Sequence, residues 1–469
     1  MKSDIQRDPQ GEVLVRLGKT AAGLAFSNLP PEVIMRAKQR VLDTLACLVA
    51  GYDCGISEAI RDYVLAHGGS AEASLLPSGQ KTSVALVALA HATYIHGLEL
   101  SDAAPRGTVH PGNEIVPVAL AMAERQGLGG DRMIAAVVAG YEMEIRFGRS
   151  LFSSAFYRGW WTPGIFGPIG AAVTAAHMMG LNATQMDNVL GIVVNMLPTN
   201  MIHANEEGES VKWLFGGQAC QTGVLAAEMA ARGVKGMRDV VGGFLPVLAD
   251  ETHPERLLEG ITDDHRFSQW ELLSGVVTKH YATVGPLFSA LDATFDLLTL
   301  HDLQADDIEK IEINCMRRTA LFNVRHPTNE IAARASLPFC IGVAVVTRDP
   351  ATLLSSAFRE ETLTNALVHA VADKVVITEN AEYERVYPAQ SLARSTLFLK
   401  NGKQVTTEVD RSARGRYLTP TDADIENKFR VIATPVLGQA KTDRVVHLVQ
   451  NLETLKDTKA LIEALTPLR

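Results

Sequence analysis

Two stretches of this chain are so rich in small residues that they limit the architecture by themselves. They are IFGPIGAAVTAAHMMG (165–180) and GGQACQTGVLAAEMAARG (216–233). Both lack strand alternation and suit helices. Helix separation follows the size of the side chains at the contact, so Gly- and Ala-rich faces allow close approach. The two segments are therefore expected to be central, buried helices in a larger helical body. Their glycines and alanines are a packing feature first and do not by themselves indicate catalysis.

The rest of the first half fits that picture. PEVIMRAKQRVLDTLACLVAG carries apolar residues at Val33, Ala37, Val41, Leu45 and Leu48, with Pro31 suited to a first turn and Gly51 to a stop. Further helices are expected over 82–96, 115–125 and 131–151. After about residue 265 the character changes. IEKIEINCM (308–316) and KVVIT (374–378) are short and β-branched, and STLFLKNGKQVTTEV (395–409) is a hairpin with Asn401-Gly402 at its turn. Helical pieces lie between them near 284–300 and 334–347, and the last sixty residues return to helix. A chain of 469 residues is too long for one ordinary core. The expected fold is mainly α: a large helical domain built from both chain ends (1–265 and 409–469) with an inserted, smaller α+β lid domain (266–408). No internal repeat is present.

Composition removes several function classes. The formal net charge of −9 argues against a nucleic-acid surface, which needs a clustered basic face. No apolar run reaches the ~18 residues of a membrane span. The opening MKSDIQRDPQGE is polar, so no secretory signal is expected. The cysteines at 47, 54, 220, 315 and 340 are odd in number and dispersed, which favours reduced thiols in a cytoplasm and disfavours a thiolate metal site. GxGxxG after a strand, GxxxxGK[ST], HExxH and GxSxG are all absent.

The segment HGLELSDAAPRGTVHPGNE (96–114) is the most unusual polar stretch. It holds Glu99, Asp102, Arg106 and His110 on a loop constrained by Pro105, Gly107, Pro111 and Gly112. Carboxylates and an imidazole on a loop between helices are the ingredients of general acid–base catalysis. The plainer reading is a helix end capped by surface polar groups. In GESVKWLFGGQA (208–219), Lys212 sits among apolar residues, where desolvation would lower its pKa. The plainer reading there is a lysine whose stem is packed and whose head reaches water. Lys279 and His280 in TKHYATVGPLFSALDA, and Tyr157 and Trp161 in FYRGWW, are further candidates. For them ordinary surface, hinge or core roles compete.

Taken in order, these segments resemble the MmgE/PrpD family along nearly the whole chain, as a divergent member. The opening helix, the 99–112 loop with its "H-x-x-[DE]-x-D-D-[TS]…HPG" pattern, the GxxGAA helix at 167–172, the Lys212 segment, GMRDVVGGF (236–244) and ARASLPFCIGVAV (333–345) carry the likeness. The family includes 2-methylcitrate dehydratase, cis-aconitate decarboxylase and iminodisuccinate epimerase. The resemblance implies a helical domain with an α/β lid, a homodimer, and a chemistry that needs neither metal nor organic cofactor. It implies a small carboxylic-acid substrate, proton removal next to a carboxylate, and then loss of water or CO2 or return of the proton. By motif position, Glu99, Asp102, His110 and Lys212 take the catalytic places. Lys212 would be proton acceptor or carboxylate anchor, His110 general acid or base, and Glu99 or Asp102 its orienter. Arg106, Tyr157, Trp161, Lys279 and His280 would contact substrate.

The departures are specific. Ser101 and Ala103 stand where the family favours Asp and Thr or Ser. Trp161, Phe215 and Phe288 stand at histidine positions, and Phe339 at a tyrosine position. A pocket with fewer donors pays more to desolvate a tricarboxylate, which implies a less charged acid as substrate. Two other functions compete with a lyase: a two-base epimerase, and a non-catalytic binding protein on the same fold.

Overall fold

The computed structural model describes residues 7–354 and 357–466. The polar opening residues 1–6 lie outside the described residues. The chain divides into two compact units. The first runs up to Ile202 and adds Trp213–Val277 and everything from Thr421 onward. The second comprises His203–Lys212 and Thr278–Pro420.

The first unit is helical. Its main helices are α1 (Pro31–Ala50), α2 (Val84–Gly97), α3 (Pro111–Gln126), α4 (Gly130–Ser150), α5 (Thr162–Met178) and α6 (Leu214–Ala231). A small antiparallel pair, β1 (Ala73–Leu75) with β2 (Gln80–Thr82), departs from helix where the sequence pattern did not suggest it. Each strand is three residues long, too short for period-two alternation to stand out.

α5 and α6 are the two small-residue segments, and they occupy the centre. Every residue of α5 is buried, as expected for a helix apolar all round. At Gly223 in α6, an added Cβ would fall 2.5 Å from the Ala171 side chain of α5; at Gly217 it would fall 2.4 Å from the Leu89 carbonyl of α2. No side chain larger than hydrogen fits either contact. The C-terminal helix Asp422–Leu437 returns to this unit, capped by Thr421 and Asp424 in a reciprocal box.

That helix carries Lys428, whose Nζ reaches Asp43 Oδ1 of α1 at 2.6 Å and the Leu100 carbonyl at 2.9 Å. Asp43 is fully buried beside Arg40, 3.8 Å away. Buried charges of this kind stand only when paired. The network ties the returning end of the chain to the stretch after α2.

The second unit contains a four-stranded sheet in the order β4-β3-β5-β6, where β3 is Ile308–Cys315, β4 Val375–Glu379, β5 Leu392–Leu399 and β6 Gln404–Asp410. β3 pairs with β4 in parallel and with β5 antiparallel. β5 and β6 form the hairpin expected at Asn401-Gly402, with Gly402 at φ +80°. Its helices include α7 (Phe288–Leu300), α8 (Leu337–Thr347) and α9 (Ala366–Ala372). α7 lies on the sheet, bonded to it by Ser289 Oγ to the Ser391 carbonyl (2.7 Å) and by Thr294 to Ser395 (3.1 Å).

The fold is mainly helical with a small sheet-bearing portion, as the sequence pattern implies. The units divide at 277/278 and 420/421, whereas the change in sequence character had placed the division at 265/266 and 408/409. The reason is local. Val277 exchanges backbone hydrogen bonds with Ala103 (3.1 and 2.7 Å), and Glu142 of α4 accepts from the Glu271 and Leu272 amides (3.1 and 3.0 Å). These hold 271–277 in the helical unit. Residues 203–212 fall in the second unit, where Gly208 lies close against Ala332. The sequence around them gives no such signal.

Truncating Lys428 leaves Asp43 without its nearest cation. Removing one partner of a buried pair costs about 3–5 kcal/mol. Lys428→Ala is expected to lose about 3 kcal/mol in urea denaturation, and a change within about 0.5 kcal/mol would show that the network carries no stability.

Candidate active site in the helical unit

The loop between α2 and α3 is folded back on itself. Ala104 and Val109 pair across a short turn, while Ala103 pairs with Val277. Glu99 and Thr108 adopt positive φ, +53° and +54°, a region that costs non-glycine residues energy and is held by surrounding contacts. Glu99, Ser101 and Asp102 are buried, at 3%, 2% and 0% exposure. This excludes the reading of a solvated helix cap.

Asp102 anchors the loop. Its Oδ1 accepts from the Gly112 amide at 2.9 Å, and its Oδ2 accepts from the Tyr141 hydroxyl of α4 at 2.6 Å. Burial pushes its pKa up, and the Arg40 charge and the Tyr141 bond oppose that. Gly112 is required here: a Cβ on it would lie 2.5 Å from Thr44 Oγ1 and 2.8 Å from Asp102 Oδ1.

His110 precedes Pro111 at the start of α3, and its Nδ1 lies 2.7 Å from the Asp102 carbonyl oxygen. A carbonyl only accepts, so Nδ1 carries the proton and Nε2 is the basic nitrogen of the neutral ring. The ring is partly exposed. Two other rings surround it. His96, from the end of α2, is 6.4 Å away, and Trp161 is 6.5 Å away; Trp161 and His96 stack at 6.4 Å with 14° between planes. His96 Nε2 lies 3.6 Å from Glu99 Oε1. The Trp161 amide donates to the Asn200 carbonyl (2.9 Å), and Thr162 Oγ1 donates to the Thr108 carbonyl (2.6 Å), which fastens the start of α5 to the loop.

Behind the loop lie two more carboxyls, Glu114 of α3 and Glu144 of α4, both fully buried. None of their four oxygens has a hydrogen-bond partner from another residue among the described residues. Burial, and then the repulsion each suffers from neighbouring carboxyls, drives both pKa values well above 4.5. Glu142, two residues earlier on α4, is raised to about 7 by burial against the opposing pull of Arg146.

The structure thus brings Asp102, His110, Trp161 and, through His96, Glu99 into one arrangement. Arg106 is exposed at the tip of the same loop, and Tyr157 is 46% exposed with its ring edge-on to Phe156. Lys212, Lys279 and His280 belong to the second unit. There Lys212 and Lys279 are buried, which removes the reading of Lys212 as a lysine with a solvated head. His280 packs edge-on to Tyr417 at 5.0 Å. Tyr281 and Tyr417 both donate to the buried Asp292, at 2.7 and 2.9 Å. Phe288 and Phe339 are fully buried, and Phe288 sits between the Tyr281 and Tyr417 rings. Sequence reasoning missed Tyr141, Glu114 and Glu144 as neighbours of the loop. The available signals were Tyr141, Glu142, Glu144 and Arg146 inside the otherwise apolar AAVVAGYEMEIRFG, and Glu114 directly after HPGN.

Two family profiles match the chain: the MmgE/PrpD N-terminal domain over residues 15–256 and the MmgE/PrpD C-terminal domain over 281–454. Among curated relatives, the cis-aconitate decarboxylase of Aspergillus terreus is 24% identical, covering 95% of this chain and 94% of the relative. The cis-aconitate decarboxylase of Homo sapiens is 23% identical, covering 94% and 91%.

The buried carboxyls set a pH dependence. Their folded-state pKa values lie above those of the unfolded chain, so the associated stability is full below about pH 4.5 and is lost as pH rises through the folded values. Glu144→Gln removes one such group. Its stability relative to the parent is expected to be higher at pH 8 than at pH 5, read by denaturant titration at both. A difference independent of pH would contradict the assignment.

Proposed function

The chain belongs to the MmgE/PrpD family, and we propose that it is a cofactor-independent lyase that removes a proton next to a carboxylate of a small di- or polycarboxylic acid, with loss of water or CO2. The observation that carries this reading is the fixed tautomer of His110. A general base must present a lone pair to the substrate, and the bond from Nδ1 to the Asp102 carbonyl leaves that lone pair on Nε2.

His110 then takes or returns the proton at Nε2. Asp102 is a positioning residue: it sets the loop through Gly112 and Tyr141 while its own carbonyl holds the imidazole. Glu99 acts on His96, which stacks on Trp161 beside His110. Lys212 is assigned as proton acceptor or carboxylate anchor, and its burial supports that role because a desolvated ammonium pairs strongly with an anion. Arg106 can take a carboxylate through two parallel hydrogen bonds. Tyr157, Trp161, Lys279 and His280 are assigned as substrate contacts.

Trp161 argues for a substrate less charged than cis-aconitate, because an indole adds one donor and a large apolar face where a second imidazole could carry charge. No helix among the described residues is long and apolar enough to cross a membrane. The cysteines at 47, 54, 220, 315 and 340 are thiols rather than disulfides, which supports a reducing, cytoplasmic setting. The resemblance supports a homodimer.

Small carboxylic acids incubated with the protein in heavy water and followed by proton NMR test the reading. A lyase converts one of them to a product lighter by water or CO2. Solvent deuterium incorporated without loss of mass would instead show an epimerase, and stabilisation of the fold without turnover would show a binding protein. Against the converted acid, His110→Ala and Lys212→Ala are each expected to lower kcat at least ~100-fold while the fold, read by circular dichroism, is retained. Activity within a fewfold of the parent in either variant would remove that residue from the mechanism.

A further inference from the structure

A second group of imidazoles lies in the sheet-bearing unit, outside the candidate active site. His326 precedes the Asn329-capped helical turn Glu330–Arg334, and His369 is on α9. Their Nδ1 atoms face each other at 3.0 Å. The outer nitrogens fix the tautomers. His326 Nε2 lies 2.8 Å from the Asp373 carboxylate, and His369 Nε2 lies 2.7 Å from the Leu363 carbonyl. Both partners are acceptors, so both Nε2 atoms carry hydrogen. In neutral rings both Nδ1 atoms then present lone pairs to each other at hydrogen-bond distance. That contact is repulsive unless a cation lies between them.

We propose that His326 and His369 form a two-imidazole site for a late first-row divalent cation, with Ni2+ or Cu2+ the best fit. The outer shell is the one such ligands use elsewhere: each imidazole donates its remote N–H to a carboxylate or a carbonyl, which fixes the ring and raises its basicity. Geometry selects the ion. Two nitrogens each about 2.05 Å from one ion stand about 2.9 Å apart at a right angle and about 3.3 Å at the tetrahedral angle. The observed 3.0 Å is close to the right-angle value, which is the cis arrangement of tetragonal nickel and copper sites.

The surroundings agree. Among the described residues no group of three or more His, Cys, Asp or Glu could hold a metal, so water completes this site. His326 and Asp373 are each 55% exposed, which gives an ion and its waters direct access. The Phe339 ring packs 6.0 Å from that of His369 on the buried side. Two charges flank the pair. Asp373 offsets the cation, and Arg325 is turned to the Ala372 carbonyl (2.9 Å) and the Asp373 carbonyl (3.3 Å). The bound ion would clamp the loop before residue 330 onto α9, two segments 43 residues apart at the imidazoles. The site does not depend on the reaction proposed above.

Isothermal titration of the tag-free protein with NiCl2 tests this. One Ni2+ per chain is expected, with affinity reduced at least tenfold in His326→Ala and in His369→Ala, and about tenfold in Asp373→Asn through the outer shell. Ni2+ is also expected to raise the melting temperature of the parent and not of His369→Ala. Both histidines are at least partly exposed, so these variants should fold. Binding that neither histidine variant weakens would overturn the proposal. So would the absence of binding; an imidazole 15N spectrum showing one ring doubly protonated would then identify a shared proton as the bridging cation.

Discussion

One buried carboxylate holds the candidate site together. Asp102 receives the amide at the start of α3 on one oxygen and the Tyr141 hydroxyl on the other, while its backbone carbonyl receives His110. Three elements are thereby set by one residue: the loop, the helix that follows it, and α4 beneath. The cost of burying Asp102 is partly offset by those two donors and by Arg40 nearby. Arg40 is in turn held beside Asp43 and Lys428, so the returning end of the chain contributes to the electrostatics of a loop more than three hundred residues earlier.

Close approach of helices makes this arrangement possible. α5 and α6 carry so little side chain that α2, α3 and α4 can approach them closely, which leaves Glu114 and Glu144 fully buried. In such surroundings burial raises a carboxyl's pKa. The result is a hydrogen-bonded front at Asp102 and His110 backed by two carboxyls whose pKa values burial holds well above 4.5.

Much of the helical unit was legible because its signals are local. The small-residue segments, Pro31 and Gly51, and the Asn401-Gly402 turn each specify their own neighbourhood. The loop from Glu99 to His110 was legible as a constrained polar stretch for the same reason. What sequence pattern did not yield depends on distant partners. The positions of the unit boundaries rest on Val277 pairing with Ala103 and on Glu142 capping residues 271 and 272. Tyr141, Glu114 and Glu144 read as polar interruptions of apolar helices until the helices are assembled. Phe288 and Phe339 stood out as departures in a motif, and their full burial shows why apolar rings suit those positions.

The proposed chemistry turns on which nitrogen of His110 carries the proton. Long-range 1H–15N correlation spectra of the histidine-labelled protein at neutral pH, with His110 assigned by its absence in His110→Gln, measure this directly. The account predicts a neutral ring with a pyrrole-type, protonated Nδ1 and a pyridine-type Nε2. A ring protonated at Nε2 alone would contradict it, because the bond to the Asp102 carbonyl would then be absent and the basic nitrogen would be Nδ1.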